Sequence, residues 1–300
     1  MSLRGAPGRV AVLMGGPSTE REVSLRSGAA VAGGLRAAGI EAVEVDVRSE
    51  ALDLPVGTEA VFIALHGRFG EDGGVQALLD ARGIPYTGSG AEASRAAMDK
   101  AVTRARLQAA GLPVPPGVVL TRPAAAPPLA CPLIVKPLCQ GSSLGCRVVT
   151  HPDAWPAAQE EAWRYDGAIV VERFIEGREL TVGILGDRAL PAIEIRAPGD
   201  RYDYTAKYTA GRTAYLVPAP LDPATACEAG RLAGAVFRAL GARGFGRVDF
   251  RMDRDGRLFV LELNTIPGFT ETSLLPKAAA AAGLAFPELC VRILSHALCG

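Results

Sequence analysis

The sequence predicts a chain of mixed α/β class, with an open parallel sheet first and antiparallel hairpins after it. Three observations carry this. Residues 10–82 alternate strand and helix patterns. Residues 133–174, 179–195 and 245–263 read instead as strands joined by Gly-containing loops. Acids and bases are interleaved, with 32 of each and 49% apolar residues, as in an ordinary globular protein.

Val10–Met14 is a short apolar strand ending in Gly15-Gly16-Pro17-Ser18. A helix follows, with Thr19 and Glu22 at capping-box spacing, and Gly39 is placed to end it. Glu41–Val47 alternates as a strand. Ala60–Leu65 is a continuous apolar run, as expected of a parallel strand covered on both faces. It ends at His66, before a Gly-rich turn and a helix over about 75–82. In such sheets ligands sit beyond the carboxyl ends of strands, and Glu20 and His66 both follow such ends. The first Gly-rich turn is not a dinucleotide fingerprint.

A helix from about Asp99 to Gln108 carries Lys100 at its start. The Pro- and Ala-rich stretch 111–132 is expected to run over the surface. Leu133–Lys136 and Ala168–Phe174 are strands, and Lys136 leads into a loop carrying Gly141-Ser142-Ser143. Loops of this kind offer N–H groups and hydroxyls to phosphate oxygens, although an isolated one is more often just a turn. Residues 179–185 and 189–195 form a hairpin through Gly186-Asp187. Residues 196–214, with Tyr202, Tyr204, Lys207 and Tyr208, lack apolar periodicity and fit a lid. Helices over about 223–240 and 286–298 complete the pattern.

The chain has zero formal net charge and no basic run, which argues against a nucleic-acid partner. No apolar stretch is long enough to span a bilayer, so a cytoplasmic protein without a membrane partner is expected. The six cysteines show no metal-ligand spacing and read as free thiols. Of the 32 cationic residues only Lys100, Lys136, Lys207 and Lys277 are lysine, which raises the prior for phosphate contact.

The stretch 244–276 concentrates the chemistry. Runs 245–252 and 257–263 flank an Asp-Gly pair, a strong hairpin signal. If Asp255-Gly256 is a two-residue loop, Asp249 lies opposite Glu262 and Arg247 opposite Asn264. Facing like charges are destabilising. Two carboxylates and an amide on apolar strands therefore call for a hard cation such as Mg²⁺. The competing reading is a solvated face neutralised by Arg247.

Taken together, Lys136 with its serine loop, VVERFIEGRE at 170–179, and RVDF with LELNTIPG at 247–250 and 261–268 resemble the ATP-grasp ligases. GGPSTEREVS at 15–24, ALHGRFGEDG at 64–73, PYTGSG at 85–90 and DYTAKYT at 203–209 make the chain resemble the D-alanine–D-alanine ligase family more closely. The resemblance covers nearly the whole chain. It implies an ATP-grasp architecture of α/β and α+β class. An N-terminal α/β domain (1–92) with the open parallel sheet would precede two α+β domains (93–175 and 176–300) that clamp ATP.

The resemblance also implies the activity and the site. Two D-alanines would be joined through a D-alanyl phosphate, for peptidoglycan precursor synthesis. Asp249, Glu262 and Asn264 would hold two Mg²⁺ ions, with Mn²⁺ as an alternative. Lys100, Lys136 and Ser143 would contact ATP phosphates. Glu172 and the backbone of Arg173 to Ile175 would read adenine, and Glu179 the ribose. Arg247 and the Gly268 N–H would stabilise the oxyanion. Ser273, Leu274 and Lys207 would hold the second substrate. Glu20 would pair with the first ammonium, with His66 nearby, and Glu20, Ser142 and Tyr208 would form a triad. A homodimer is implied. Tyr208 favours the dipeptide, since relatives using D-lactate commonly carry Phe there. Departures are mild: Cys139-Gln140 replaces a common charged pair, and Arg173 stands where Lys is common. Thiol modification at Cys139 or Cys146 would inhibit. The alternatives are a ligase with another acceptor (D-lactate or D-serine) and a catalytically silent nucleotide-binding regulatory module.

Overall fold

The computed structural model describes residues 8–197 and 213–298. Lys207, Tyr208 and most of the expected lid lie outside the described residues. Three sheets organise what is described.

The first sheet contains Val10–Gly15 (β1), Ala42–Val47 (β2) and Ala60–Ile63 (β3), all parallel, in the order β2-β1-β3. Helix Arg21–Ala37 (α1) joins β1 to β2, and Gly74–Ala81 (α2) follows β3. Alternate residues of β1 and β3 enter two cores. Val12 and Phe62 pack with Val31 and Leu35 of α1, while Leu13 and Ile63 pack with Val75 and Leu79 of α2. Coverage on both faces is why these strands read as unbroken apolar runs. The strand order reverses at β1, which opens a crevice beyond the ends of β1 and β3.

The capping box expected from Thr19 and Glu22 does not form. Glu20 precedes the first helical turn and makes no side-chain cap. The Ser18 hydroxyl accepts the Glu20 N–H at 3.2 Å and donates to the His66 carbonyl at 2.6 Å. It thereby ties the ends of β1 and β3 together.

The second sheet contains Gly117–Leu120 (β4), Leu133–Pro137 (β5), Arg147–Val149 (β6) and Ile169–Arg173 (β7), antiparallel in the order β4-β7-β5-β6. Helices Ala91–Met98 (α3) and Lys100–Ala109 (α4) lead into it, and Trp155–Trp163 (α5) covers one face through buried Trp155. The stretch 111–132 contributes β4 at the sheet edge, where Val118 and Val119 are exposed, as a surface segment should be.

The third sheet contains Arg178–Leu185 (β8), Arg188–Ala189 (β9), Ile193–Arg196 (β10), Ala214–Leu216 (β11), Phe245–Met252 (β12) and Leu258–Asn264 (β13). Its order is β11-β10-β8-β12-β13, with β9 paired to β8. Helix Pro223–Leu240 (α6) lays Leu232, Val236 and Leu240 on Val182, Val248 and Val260. Asp222 caps it by accepting two N–H groups at 3.0 Å, and Gly241 ends it at φ 70°. Helices Leu274–Ala281 (α7) and Phe286–Leu298 (α8) close the chain, with α8 packed on α1. Among the described residues no single helix is long and apolar enough to cross a membrane.

The β12–β13 turn differs from the two-residue loop expected at Asp255-Gly256. Asp253 donates to the Arg257 carbonyl at 2.9 Å, leaving a three-residue loop with Gly256 at φ 82°. The Asp253 carboxylate accepts the Asp255 and Arg257 N–H groups, which fixes this tighter start. Near the turn Phe250 pairs with Val260, one residue out of the expected register. A bulge between Asp249 and Phe250 on one side, and at Leu261 on the other, restores it. Asp249 then pairs with Glu262, and Arg247 with Asn264.

Candidate active site

The crevice beyond β1 and β3 opens into one cavity shared by all three sheets. Glu20 and His66 line it from the first, Lys100 and Ser142 from α4 and the serine loop, and Arg247, Glu262 and Asn264 from the third. Gly268, Ser273 and Leu274 line its far wall. Ser142 donates a short hydrogen bond to Glu20, joining residues 122 apart in sequence. Ser142 and Ser143 sit at φ 52° and 58°. Each left-handed serine costs about 1 kcal/mol, so the loop is held in place against its own preference.

On the third sheet Arg247 grips Asp249 with two bonds of 2.8 Å, and Thr181 donates to the same carboxylate at 2.5 Å. Asp249 and Arg247 are both buried. Arg247 thus neutralises Asp249, as the competing reading expected of it, and also lines the cavity; the face it lies on is buried rather than solvated. Glu262, directly across, is half-buried and makes no hydrogen bond or ion pair among the described residues. Asn264 accepts the Ile266 N–H at 3.0 Å. Among the described residues no cluster of three or more acidic, His or Cys groups could hold a metal. The candidate set is two carboxylates and an amide oxygen. An open carboxylate facing a second acid is hard-oxygen chemistry that fits a divalent cation.

On the second sheet, Glu172 of β7 is 4% exposed. Its two oxygens accept Arg104 at 2.5 Å and Lys136 at 2.6 Å. Burial alone would raise the Glu172 carboxyl, but the charge and hydrogen bonds of Lys136 and Arg104 outweigh it and hold the carboxyl below its ordinary value. The Arg173 and Phe174 N–H groups are committed to the Pro116 and Pro132 carbonyls, so Ile175 is the backbone donor left for a base. The Arg173 side chain lies 5.7 Å from the Phe259 ring centre. Arg251 spans the Ile175 carbonyl at 3.0 Å and Glu179 at 3.1 Å. Lys136, Ser143, Glu172, Arg173, Ile175, Glu179 and Asp249 do not line the shared cavity.

His66 serves the chain itself. Its Nδ1 lies 3.1 Å from the Ile266 carbonyl, which only accepts, so Nδ1 carries the proton. Its Nε2 shares a hydrogen bond of 3.1 Å with Ser27 Oγ, which accepts the Phe269 N–H. His66 therefore positions the 266–269 loop. Gly268 makes no hydrogen bond through its N–H among the described residues. A Cβ there would stand 2.6 Å from Ser273 Oγ, so this close approach requires glycine. Ser273 Oγ accepts the Thr270 N–H at 3.0 Å, at the start of α7.

Two family models match the chain. One describes the D-ala D-ala ligase C-terminus and covers residues 107–295; the other describes the D-ala D-ala ligase N-terminus and covers residues 42–89. The chain belongs to the D-alanine–D-alanine ligase family. The D-alanine–D-alanine ligase of Alkalilimnicola ehrlichii is 50% identical over 96% of this chain and 94% of its own length. That of Halorhodospira halophila is 49% identical over 97% and 96%. The crystal structure of the Bacillus anthracis D-alanine–D-alanine ligase is similar with a TM-score of 0.84 and 33% identity, over 97% of both chains.

Sequence reasoning missed several residues of this D-alanine–D-alanine ligase family member. Arg104 and Glu71 stand out. Arg104 follows Lys100 by four residues on α4, so spacing could have placed both on one face. Glu71 lines the cavity, accepts the Gly67 N–H at 3.0 Å, and lies 3.9 Å from His66. Burial pushes its carboxyl up, and the charge of Glu20 adds to this. In the unfolded chain the carboxyl ionises near its ordinary value. As pH rises from there to the raised folded value, the folded protein holds the extra proton and stability falls. Glu71→Gln is expected to remove that slope, giving a larger gain in Tm at neutral pH than near pH 4.5. An equal or absent gain in melts at the two pH values overturns it.

Burial also pushes the Cys139 thiol up, with the charges of Asp166 and Asp99 adding. It is therefore a poor nucleophile at neutral pH, which argues against the easy thiol inhibition expected there.

Proposed function

We propose that this chain is an ATP-dependent D-alanine–D-alanine ligase that makes the dipeptide for peptidoglycan precursors. The observation that carries the reading is the meeting of Glu20, Ser142 and the Arg247–Glu262 face around one cavity. Family membership supplies the substrates.

A carboxylate is a poor electrophile, so the reaction needs a leaving group first. A carboxylate oxygen of the first D-alanine attacks the γ-phosphorus of ATP, and ADP leaves. The amine of the second D-alanine then attacks the acyl carbon, and phosphate leaves. Catalysis is positioning and charge neutralisation. Glu20 binds the first ammonium and is held by Ser142. Arg247, kept in place by Asp249, faces the oxyanion together with the Gly268 N–H. Ser273 and Leu274, at the start of α7, take the second carboxylate, where the helix dipole favours an anion. Lys100 and Lys136 draw the phosphates. Glu172, the Ile175 N–H and Glu179 bind the nucleoside.

Glu262, with Asp249 and Asn264, would hold Mg²⁺, and Mn²⁺ has the same donor preference. Bound there, the metal would offset the charge of the phosphate oxygens. Lys207 and Tyr208 belong to this reading through sequence alone. The domain divisions at about 92 and 175, a homodimer and cytoplasmic residence also belong to it. Light scattering and cell fractionation check the last two.

The test is phosphate release measured with ATP, Mg²⁺ and D-alanine together and with each omitted. Release that needs all three is expected. ATP turnover indifferent to D-alanine sinks the ligase reading and favours a regulatory nucleotide-binding module.

A further inference from the structure

Three charged side chains are buried together on the nucleotide flank: Arg104, Glu172 and Lys136. Lys136 and Glu172 lie on neighbouring antiparallel strands, and Glu172 sits beside Gly117 on the other side. Arg104 reaches across from α4. It donates to the Pro115 carbonyl at 2.9 Å, the Gly117 carbonyl at 3.3 Å and Glu172 at 2.5 Å. A Cβ on Gly117 would come within 2.7 Å of the Val171 carbonyl, 2.9 Å of the Glu172 side chain and 3.1 Å of the guanidinium, so only glycine leaves room here.

The charge count is the point. Lys136 and Glu172 alone would be a closed neutral pair. With Arg104 the three groups carry one net positive charge in a dry setting; the charge of Glu262 reaches Lys136 and offsets part of it, until a cation occupies that carboxylate and an anion is called for. We propose that Arg104 is a positioning residue for ATP: by neutralising Glu172 it leaves the Lys136 ammonium uncompensated, and so available to a phosphate. Arg104 need not touch the nucleotide. One turn earlier, the start of α4 serves the same purpose, since Lys100 donates to the Gln140 carbonyl of the serine loop at 2.6 Å. One helix thus sets a cation at the loop and releases another at the sheet.

The inference rests on the nucleotide-binding reading above. Calorimetry of the whole protein with ATP and with adenosine separates the two, beside KM for ATP and for D-alanine. Arg104→Met is expected to weaken ATP about tenfold or more, while adenosine changes less than about threefold and KM for D-alanine less than about twofold. Arg104→Lys should keep most of the ATP preference. Adding Glu172→Gln to Arg104→Met should weaken the nucleoside contact for ATP and adenosine alike but recover part of the lost preference for ATP over adenosine, because the carboxylate that traps Lys136 is gone. Should Arg104→Met fail to fold, Arg104→Gln keeps a donor without the charge and is expected to show the same selective loss. Equal losses for ATP and adenosine would mean a scaffold role and overturn the proposal, as would unchanged ATP affinity. Wild-type protein that binds no ATP would instead overturn the functional reading.

Discussion

Glu262→Gln is expected to abolish turnover, by about a thousandfold or more, while the protein melts at or above the wild-type temperature. The side chains are nearly isosteric, and Glu262 has no hydrogen-bond or ion-pair partner to lose among the described residues. It faces Asp249 directly across β12 and β13. Removing one of two facing negative charges relieves repulsion, so stability should not fall. What is lost is an anion where a cation is needed to gather phosphate charge. Phosphate release and a thermal melt on the same preparation check both halves. Near-normal turnover removes Glu262 from the metal set.

Arg247→Ala should behave differently, losing both activity and stability. Arg247 and Asp249 are 8% and 7% exposed and share two short bonds. Truncating Arg247 leaves a buried carboxylate without its main counter-charge, a change that costs about 3–5 kcal/mol in comparable pairs. Turnover should fall at least a hundredfold, since the cation facing the oxyanion is gone. Adding Asp249→Asn should return much of the stability and none of the activity. Denaturant unfolding of the three proteins, with D-alanine-dependent phosphate release, tests this. Full stability in Arg247→Ala would show that the other partners of Asp249, Thr181 among them, satisfy it.

The parallel sheet was legible because β1 and β3 are covered on both faces and say so in unbroken apolar residues. Helix α6 was legible at both ends, through Asp222 and Gly241. Strand β4 was not, because Val118 and Val119 sit at an exposed edge among prolines, where no alternation is enforced. The site was legible in its residue types but not in its pairings. Arg247 on Asp249, and Lys136 on Glu172, are choices among nearby opposite charges that only the packing makes. Arg104 gave no motif; a buried arginine looks like a surface one until its helix is docked.

The facing of Asp249 and Glu262 was reached from the wrong turn. A three-residue loop displaces the register by one, and Leu261 displaces it back. The phase change shows only once β13 is folded, its buried apolar residues falling at 258, 260 and then 263; in the sequence 258–261 is one unbroken apolar run.

The bulge sits on the last strand of its sheet, where one flank is largely unpaired and an extra residue is readily absorbed. Leu261 is thus a place where the chain can change length without changing its fold. Deleting it would leave Val260 opposite Phe250 and Glu262 opposite Asp249, with every other neighbour kept. Only the local twist would go, and with it the direction in which the Glu262 carboxylate is aimed. A single-residue deletion, ordinarily among the harshest edits to a strand, would here act as a fine adjustment of one side chain's heading.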